Sequence, residues 1–215
     1  MTTMERQFPG SRDHSLFASV ELSLRRLSEA NQGKVRVLGV FHGGFLPEVI
    51  RIIMMQWEKA DVDSLAHELI ATGLATPNRY THLTLNSALC PYLRGRTNET
   101  DREGLTTKWV EAMRGYVWFL DQQQNQKAEV AATLTMLELP NLFLLLDLVQ
   151  RAGDGEATID LTTSLYSLLR NPGKLRLLER VGQVRDDAAA SLGDAWNHSR
   201  CEATRTRIEP LRYGK

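Results

Sequence analysis

Five histidines, two cysteines and a scatter of serines are the side chains of this 215-residue sequence that could do acid-base, metal or nucleophilic chemistry. His14, His42, His67, His82 and His198 include no pair four residues apart with a nearby carboxylate, the spacing by which one helix face grips zinc, so no metal site is expected. His67 and Glu68 adjoin, but neighbours on a helix diverge by about 100° and form no dyad, which makes them a solvated edge. No serine lies in a Gly-x-Ser-x-Gly elbow, and neither Cys90 nor Cys201 sits where a thiolate would be favoured; the two stand far apart, so both are expected reduced. There is no Gly-x-x-x-x-Gly-Lys-Ser/Thr phosphate loop, which excludes nucleotide hydrolysis by this chain alone. The expectation is a non-enzyme with no cofactor of its own.

The most informative run is Leu38-Gly39-Val40-Phe41-His42-Gly43-Gly44-Phe45. Adjacent glycines between aromatic residues let the backbone take positive φ and reverse, and Pro47 suits the first turn of a following helix. Gly43-Gly44 therefore predicts a helix-helix corner.

Lys plus Arg and Asp plus Glu both number 26, so the net charge is zero and no long-range field selects nucleic acid or an anionic membrane. A hydrophobic content of 42% is enough for a core. The longest apolar stretch, Leu142 to Leu146, falls far short of the roughly 20 residues of a membrane span, and the N-terminus lacks a signal-peptide core. A cytoplasmic protein without membrane contact is expected.

Residues 1–13 are polar and aperiodic, with Pro9 and Gly10, and read as a flexible lead-in. Leu16, Val20, Leu24 and Leu27 then mark one helix face, ended by Asn31-Gln32-Gly33. Val35, Leu38 and Phe41 form a second stripe, and Val49, Ile50, Ile53, Met54 and Trp57 a third. Asp61 or Asp63 could cap a fourth helix with face Val62, Leu65, Leu69 and Ile70, stopped by Gly73. Leu74-Ala75-Thr76 and Thr81 to Leu85 flank the turn-rich Pro77-Asn78-Arg79-Tyr80 and predict a β-hairpin. Helices followed by a hairpin is the winged-helix order, and a helix from Ser87 to Arg94 would close that module over residues 14–96. The polar residues 97–104 read as a linker.

From there to Lys215 the pattern is helical. Trp109, Met113, Tyr116 and Leu120 share a face, as core residues do rather than the walls of a ligand cage; Ala128, Ala131, Leu134 and Leu137 follow. Pro140 restarts the chain for Leu142, Leu145, Leu146 and Val149, and glycines break it at 153 and 155. Ile159, Leu161, Leu165 and Leu168, then Leu175, Leu178, Val181 and Val184 after Asn171-Pro172-Gly173, complete a stack of antiparallel helices. Arg200, Arg205, Arg207 and Arg212 interleave with Glu202 and Glu209, which suits ion pairs on a solvated face. The chain stops at Lys215 without a polar capping helix, which suggests part of a longer array. The fold class expected is mainly α: a winged-helix module with a small β-hairpin, then an antiparallel α-helical, tetratricopeptide-like array over 105–215.

Ser15 to Leu27, the Leu38–Phe45 run, and Leu83-Thr84-Leu85-Asn86-Ser87-Ala88-Leu89-Cys90-Pro91-Tyr92-Leu93 resemble the winged-helix segment that follows the nucleotide-binding core in bacterial signal-transduction ATPases with numerous domains, the NB-ARC-like class. Glu138-Leu139-Pro140-Asn141-Leu142 and Ala190 to Trp196 resemble the tetratricopeptide-type helices that come next in such proteins. Leu192-Gly193 and Trp196 have the repeat's spacing, but Arg205 stands where a small Ala is usual, hence an array only like tetratricopeptides. The resemblance implies a regulatory arm that couples a protein or peptide partner on the array to the winged helix, with an ATPase domain encoded upstream as a further partner. It also implies a cofactor-binding position at Asn86, where the family presents a histidine to bound ADP phosphates; Asn offers only a neutral hydrogen bond, and only with a nucleotide-binding domain present. Read by itself, Asn86 caps the helix that starts near Ser87.

A DNA-binding winged-helix regulator is the rival function. In that mode the helix before the hairpin enters the major groove and carries basic or amide side chains. Here the stretch from Asp61 to Thr72 shows Asp61, Asp63, His67 and Glu68 and no Lys or Arg, and the wing adds only Arg79. The charge disfavours nucleic acid as a partner.

Overall fold

The computed structural model describes residues 13–170 and 172–193, with side chains from residue 15 onward. The lead-in expected at the N-terminus, the basic set from Arg200 to Arg212, and Trp196, His198 and Cys201 lie outside the described residues. Ten α-helices and one three-stranded antiparallel sheet make up the described chain, so its class is mainly α.

Helix α1 (Asp13–Leu24) and helix α2 (Glu29–Lys34) are separated by Ser28, whose hydroxyl accepts the Asn31 amide at 3.4 Å. The expected stop at Asn31-Gln32-Gly33 is therefore overturned: these residues lie inside α2, because the Ser28 cap restarts the helix. Val35–Val40 is a 3₁₀ helix, and from Val35 to Phe41 every residue but Arg36 is buried, so the stripe Val35, Leu38 and Phe41 belongs to a segment enclosed almost all round. Gly43 then turns the chain at φ +86°, and strand β1 (Gly44–Phe45) follows. The expected helix-helix corner is thus corrected to a corner from a 3₁₀ helix into a strand.

Pro47 opens helix α3 (Pro47–Ile53) as expected. Helix α4 (Lys59–Ala71) starts earlier than its predicted caps. Glu58 and Asp61 form a reciprocal capping box, so Asp61 answers the cap from inside the first turn. Val62, Leu65 and Leu69 are buried, while Ile70 is 39% exposed, and Gly73 ends the helix at φ +73°. The edge assigned to His67 and Glu68 is only half right. Glu68 takes the Ser28 amide at 2.8 Å, and that bond holds its carboxyl below the usual range.

The hairpin is present as strands β2 (Ala75–Pro77) and β3 (Leu83–Leu85). Strand order is β1-β3-β2, with Gly44 opposite Thr84 and Thr76 opposite the same residue on the other edge. The connecting turn holds Tyr80 at φ 55° and Thr81 at φ 61°, costly for a β-branched residue. The Asn78 amide N–H donates to the His82 carbonyl at 2.7 Å and closes it.

Helix α5 (Leu89–Arg96) is followed almost directly by helix α6 (Glu99–Gln126), 28 residues long. The predicted linker over 97–104 is overturned, since only Thr97 and Asn98 lie outside helix. Asn98 accepts the Asp101 amide at 2.8 Å and caps α6, and Glu99 pairs with Arg102 one turn on. Polar residues that looked like a linker are the exposed first turns of a helix.

Helices α7 (Ala128–Leu137), α8 (Leu139–Arg151), α9 (Gly155–Arg170) and α10 (Leu175–Leu192) complete the described chain. Among the described residues no single helix is long and apolar enough to cross a membrane; α7 and α8 would suffice only together, and they meet at a 72° bend. Two compact units emerge. The first takes the described residues up to Met113 together with Leu137–Asn141, and the second takes Arg114–Met136 and everything from Leu142. Their division falls within α6, not between helices.

In the first unit Phe41 lies 5.8 Å from Phe45 and 6.3 Å from Trp109, the latter edge to face at 89°. All three rings are fully buried, so the aromatic residues flanking the glycines anchor the corner. In the second unit α9 and α10 pack along each other, with Leu165, Leu168, Leu169 and Val181 buried.

Candidate functional site

Asn86 follows β3 directly and is exposed. Its side-chain oxygen accepts the Ala88 amide at 3.0 Å and its carbonyl accepts the Leu89 amide at 2.9 Å, an Asx turn that leads into α5. Helical geometry begins at Leu89, two residues later than expected. No titratable side chain among the described residues is hydrogen-bonded to Asn86.

The structure instead gathers polar groups around the glycine corner. The turn between α7 and α8 carries Glu138 and Asn141, both fully buried. Asn141 accepts the His42 amide at 2.6 Å through Oδ1, and through Nδ2 it donates to the Gly44 carbonyl at 2.8 Å and to Glu138 Oε2 at 2.6 Å. One side-chain amide thus satisfies the backbone on both sides of Gly43. Glu138 Oε1 lies 3.4 Å from His82 Nε2, close enough for an ion pair when the imidazole is protonated, yet neither atom has a hydrogen-bond partner. On the other side of the ring Asn78 Nδ2 stands 3.4 Å from His82 Nδ1 and donates to Thr84 Oγ1 at 2.5 Å.

Glycine is required on both sides of this contact. A Cβ on Gly44 would sit 2.5 Å from His82 Cε1 and 2.6 Å from the Leu83 carbonyl oxygen, and one on Gly43 would meet Pro140 Cγ at 3.3 Å in a left-handed backbone. His82 therefore lies against the bare edge of Gly44, and Pro140 against Gly43.

A second cluster lies beside the corner. Arg94 of α5 donates to His42 Nε2 at 2.7 Å and to the Gly39 and Phe41 carbonyls at 3.3 Å, which ties α5 to the end of the 3₁₀ helix. Burial, and then the neighbouring guanidinium, keep the His42 imidazole below its ordinary pKa. Cys90, one turn before Arg94, is buried, and desolvation pushes its thiol up to about 11, so it is a poor nucleophile.

Chemically, imidazole and carboxylate are the parts of an acid-base pair, but His82 and Glu138 are each 1% exposed and present no surface to a substrate. Among the described residues no three His, Cys, Asp or Glu side chains gather as metal ligands.

The second unit has a polar cleft of about 320 Å³ between α6 and α9. Asp121 and Arg170 contribute opposite charges, Gln124 and Asn125 amides, and Ser164 and Ser167 hydroxyls. The Ser167 hydroxyl donates to Gln124 Oε1 at 2.9 Å, and the lining holds neither His nor Cys. This chemistry suits hydrogen bonding to a polar ligand.

Sequence reasoning named the corner but missed its clamp. The signal was there in part: Glu138 and Asn141 are polar residues three apart, on either side of Pro140, within a run otherwise apolar from Met136 to Leu146. Such residues on a buried helix start need partners. No protein-family model, no curated protein and no solved structure matches the chain.

Proposed function

We propose that this chain is a non-enzymatic, protein-binding regulatory fragment of a STAND-type signalling protein. In this reading residues 14–96 are a winged-helix module, and the chain from residue 105 onward is a tetratricopeptide-like array that receives a protein or peptide partner. The observation that carries it is the sheet order β1-β3-β2, in which a short strand after the glycine corner joins a hairpin that follows α4. The packing of α9 along α10 as an antiparallel pair supports the reading of these helices as part of an array. In a full-length protein, an upstream ATPase domain would lie against the winged helix with Asn86 offering a neutral hydrogen bond to its nucleotide.

The DNA-binding rival gains nothing from the geometry of α4. Its one cation, Lys59, is paired with Asp63 at 2.7 Å, and Asp61 is engaged by Lys34 at 2.5 Å. That helix faces phosphate with its carboxylates partly neutralised and no free cation.

Calorimetric titration of the chain with the ADP-loaded nucleotide-binding domain encoded upstream tests the proposal, and saturable binding is expected. Absence of binding up to about 100 μM, or tight and steeply salt-dependent binding to duplex DNA instead, rejects it.

A further inference from the structure

The turn Leu137–Asn141 belongs to the first unit, while the residues immediately before and after it belong to the second. Five residues come back to the glycine corner and leave again. Their contacts with that corner come from three side chains. Asn141 makes all three of its hydrogen bonds there, Pro140 lies against the place where Gly43 has no Cβ, and Glu138 faces His82.

We propose that this turn is a releasable latch, which undocks from the corner as one unit while α3 and α4 stay folded. Three observations converge on it. The hold is cooperative, because losing Asn141 strips the His42 amide, the Gly44 carbonyl and Glu138 Oε2 of a partner in a single step. It is also held under load. His82 Nε2 and Glu138 Oε1 are buried without hydrogen bonds, and a buried pair that is not fully satisfied does not recover its desolvation cost. Release returns both groups to water and so relieves that cost. Finally, the break is already set in the chain. α7 ends at Leu137, α8 starts at Leu139 with Pro140 in its first turn, and the two helices bend by 72°, so undocking requires neither helix to refold.

The inference rests on the preceding reading only for its use: partner binding on helices continuous with the latch would bias the docked against the free state. The opening itself needs no partner, so its failure and the failure of the functional reading are separate results.

Amide exchange of the full chain, read by NMR, tests the latch through the His42 amide, whose acceptor is Asn141. Comparison amides are Leu65 and Leu69 in the core of α4. In the wild type, His42 is expected to exchange at least about tenfold faster than Leu65 and Leu69, through an opening those residues do not share. Asn141→Ala should raise the His42 rate about tenfold further and leave α4 unchanged. The double change His82→Leu with Glu138→Met replaces the buried pair by apolar groups and should slow the opening. Equal rates at His42, Leu65 and Leu69 in the wild type would mean that only global unfolding frees the corner, and overturn the proposal without recourse to any variant. A double variant that opens faster than the wild type would overturn it too, by making the pair a support and not a load.

Discussion

The Asn141 side-chain amide donates to the Gly44 carbonyl at 2.8 Å across 97 positions of sequence, and the same side chain accepts the His42 amide at 2.6 Å. A corner that is local in sequence is therefore completed by a residue from a distant helix start. Its glycines serve that contact as much as the turn.

Asn141→Ala leaves a backbone donor at His42 and the buried acceptors of Gly44 and Glu138 unpaired. The expected cost is about 1–2 kcal/mol in the docking of the Leu137–Asn141 turn on the corner, from lost bonds to groups with little access to water. Amide exchange at His42, with the α4 core amides as the unchanged reference, measures it; a loss below about 0.5 kcal/mol would mean that water replaces the side chain freely.

Gly44→Ala places a methyl group 2.6 Å from the Leu83 carbonyl oxygen, a backbone atom fixed by the sheet. Destabilisation of about 3 kcal/mol is expected. Gly115→Ala is its control, because that glycine lies inside α6 with nothing within 4 Å of a new Cβ; the change should stabilise the helix by about 0.5–1 kcal/mol. Thermal unfolding of the two variants should move in opposite directions.

Cys90, with its thiol raised to about 11, should resist alkylation at neutral pH in the native state and react only on unfolding. A Cys201→Ser background isolates the signal. The folded state holds this proton more tightly than the unfolded chain. Its contribution to stability is therefore complete below the unfolded pKa of about 8.5 and is lost as pH rises from there through about 11. Rapid labelling of Cys90 in native protein would contradict the buried placement.

His42 behaves in the opposite sense. Its folded pKa is lowered, by burial and then by Arg94, so the unfolded chain binds the proton more readily and stability falls as pH drops through about 6.5 toward the folded value. His42→Gln keeps an acceptor for Arg94 and should flatten the fall in stability below about pH 6.5. An unchanged acid limb in that variant would place the titration elsewhere.

The mainly helical class, the hairpin and the burial of Trp109, Met113, Tyr116 and Leu120 were legible because each rests on a period within a short window. The corner was legible as a reversal, but not as the start of a strand. Strand β1 is two residues long and exists only through pairing with Leu83 and Thr84, some forty positions away. The supposed linker failed for a related reason: Glu99, Asp101 and Glu103 are polar whether they lie in a loop or on the open face of a capped helix. Least legible was the clamp. Nothing local to His82, Glu138 or Asn141 states that a histidine from the hairpin meets a carboxylate from a later helix boundary, because that contact is made by tertiary packing alone. Asn86, chosen by resemblance, forms a local Asx turn at the surface.

The central claim is that corner, hairpin and the later turn form one element, and a double-mutant cycle on His82→Ala and Glu138→Ala tests it most directly. The side chains are 3.4 Å apart and both 1% exposed, so their effects on first-unit stability should be non-additive by at least about 1 kcal/mol, with the double variant less damaged than the sum. Additivity within about 0.3 kcal/mol would show that the two residues do not meet, and would contradict the account.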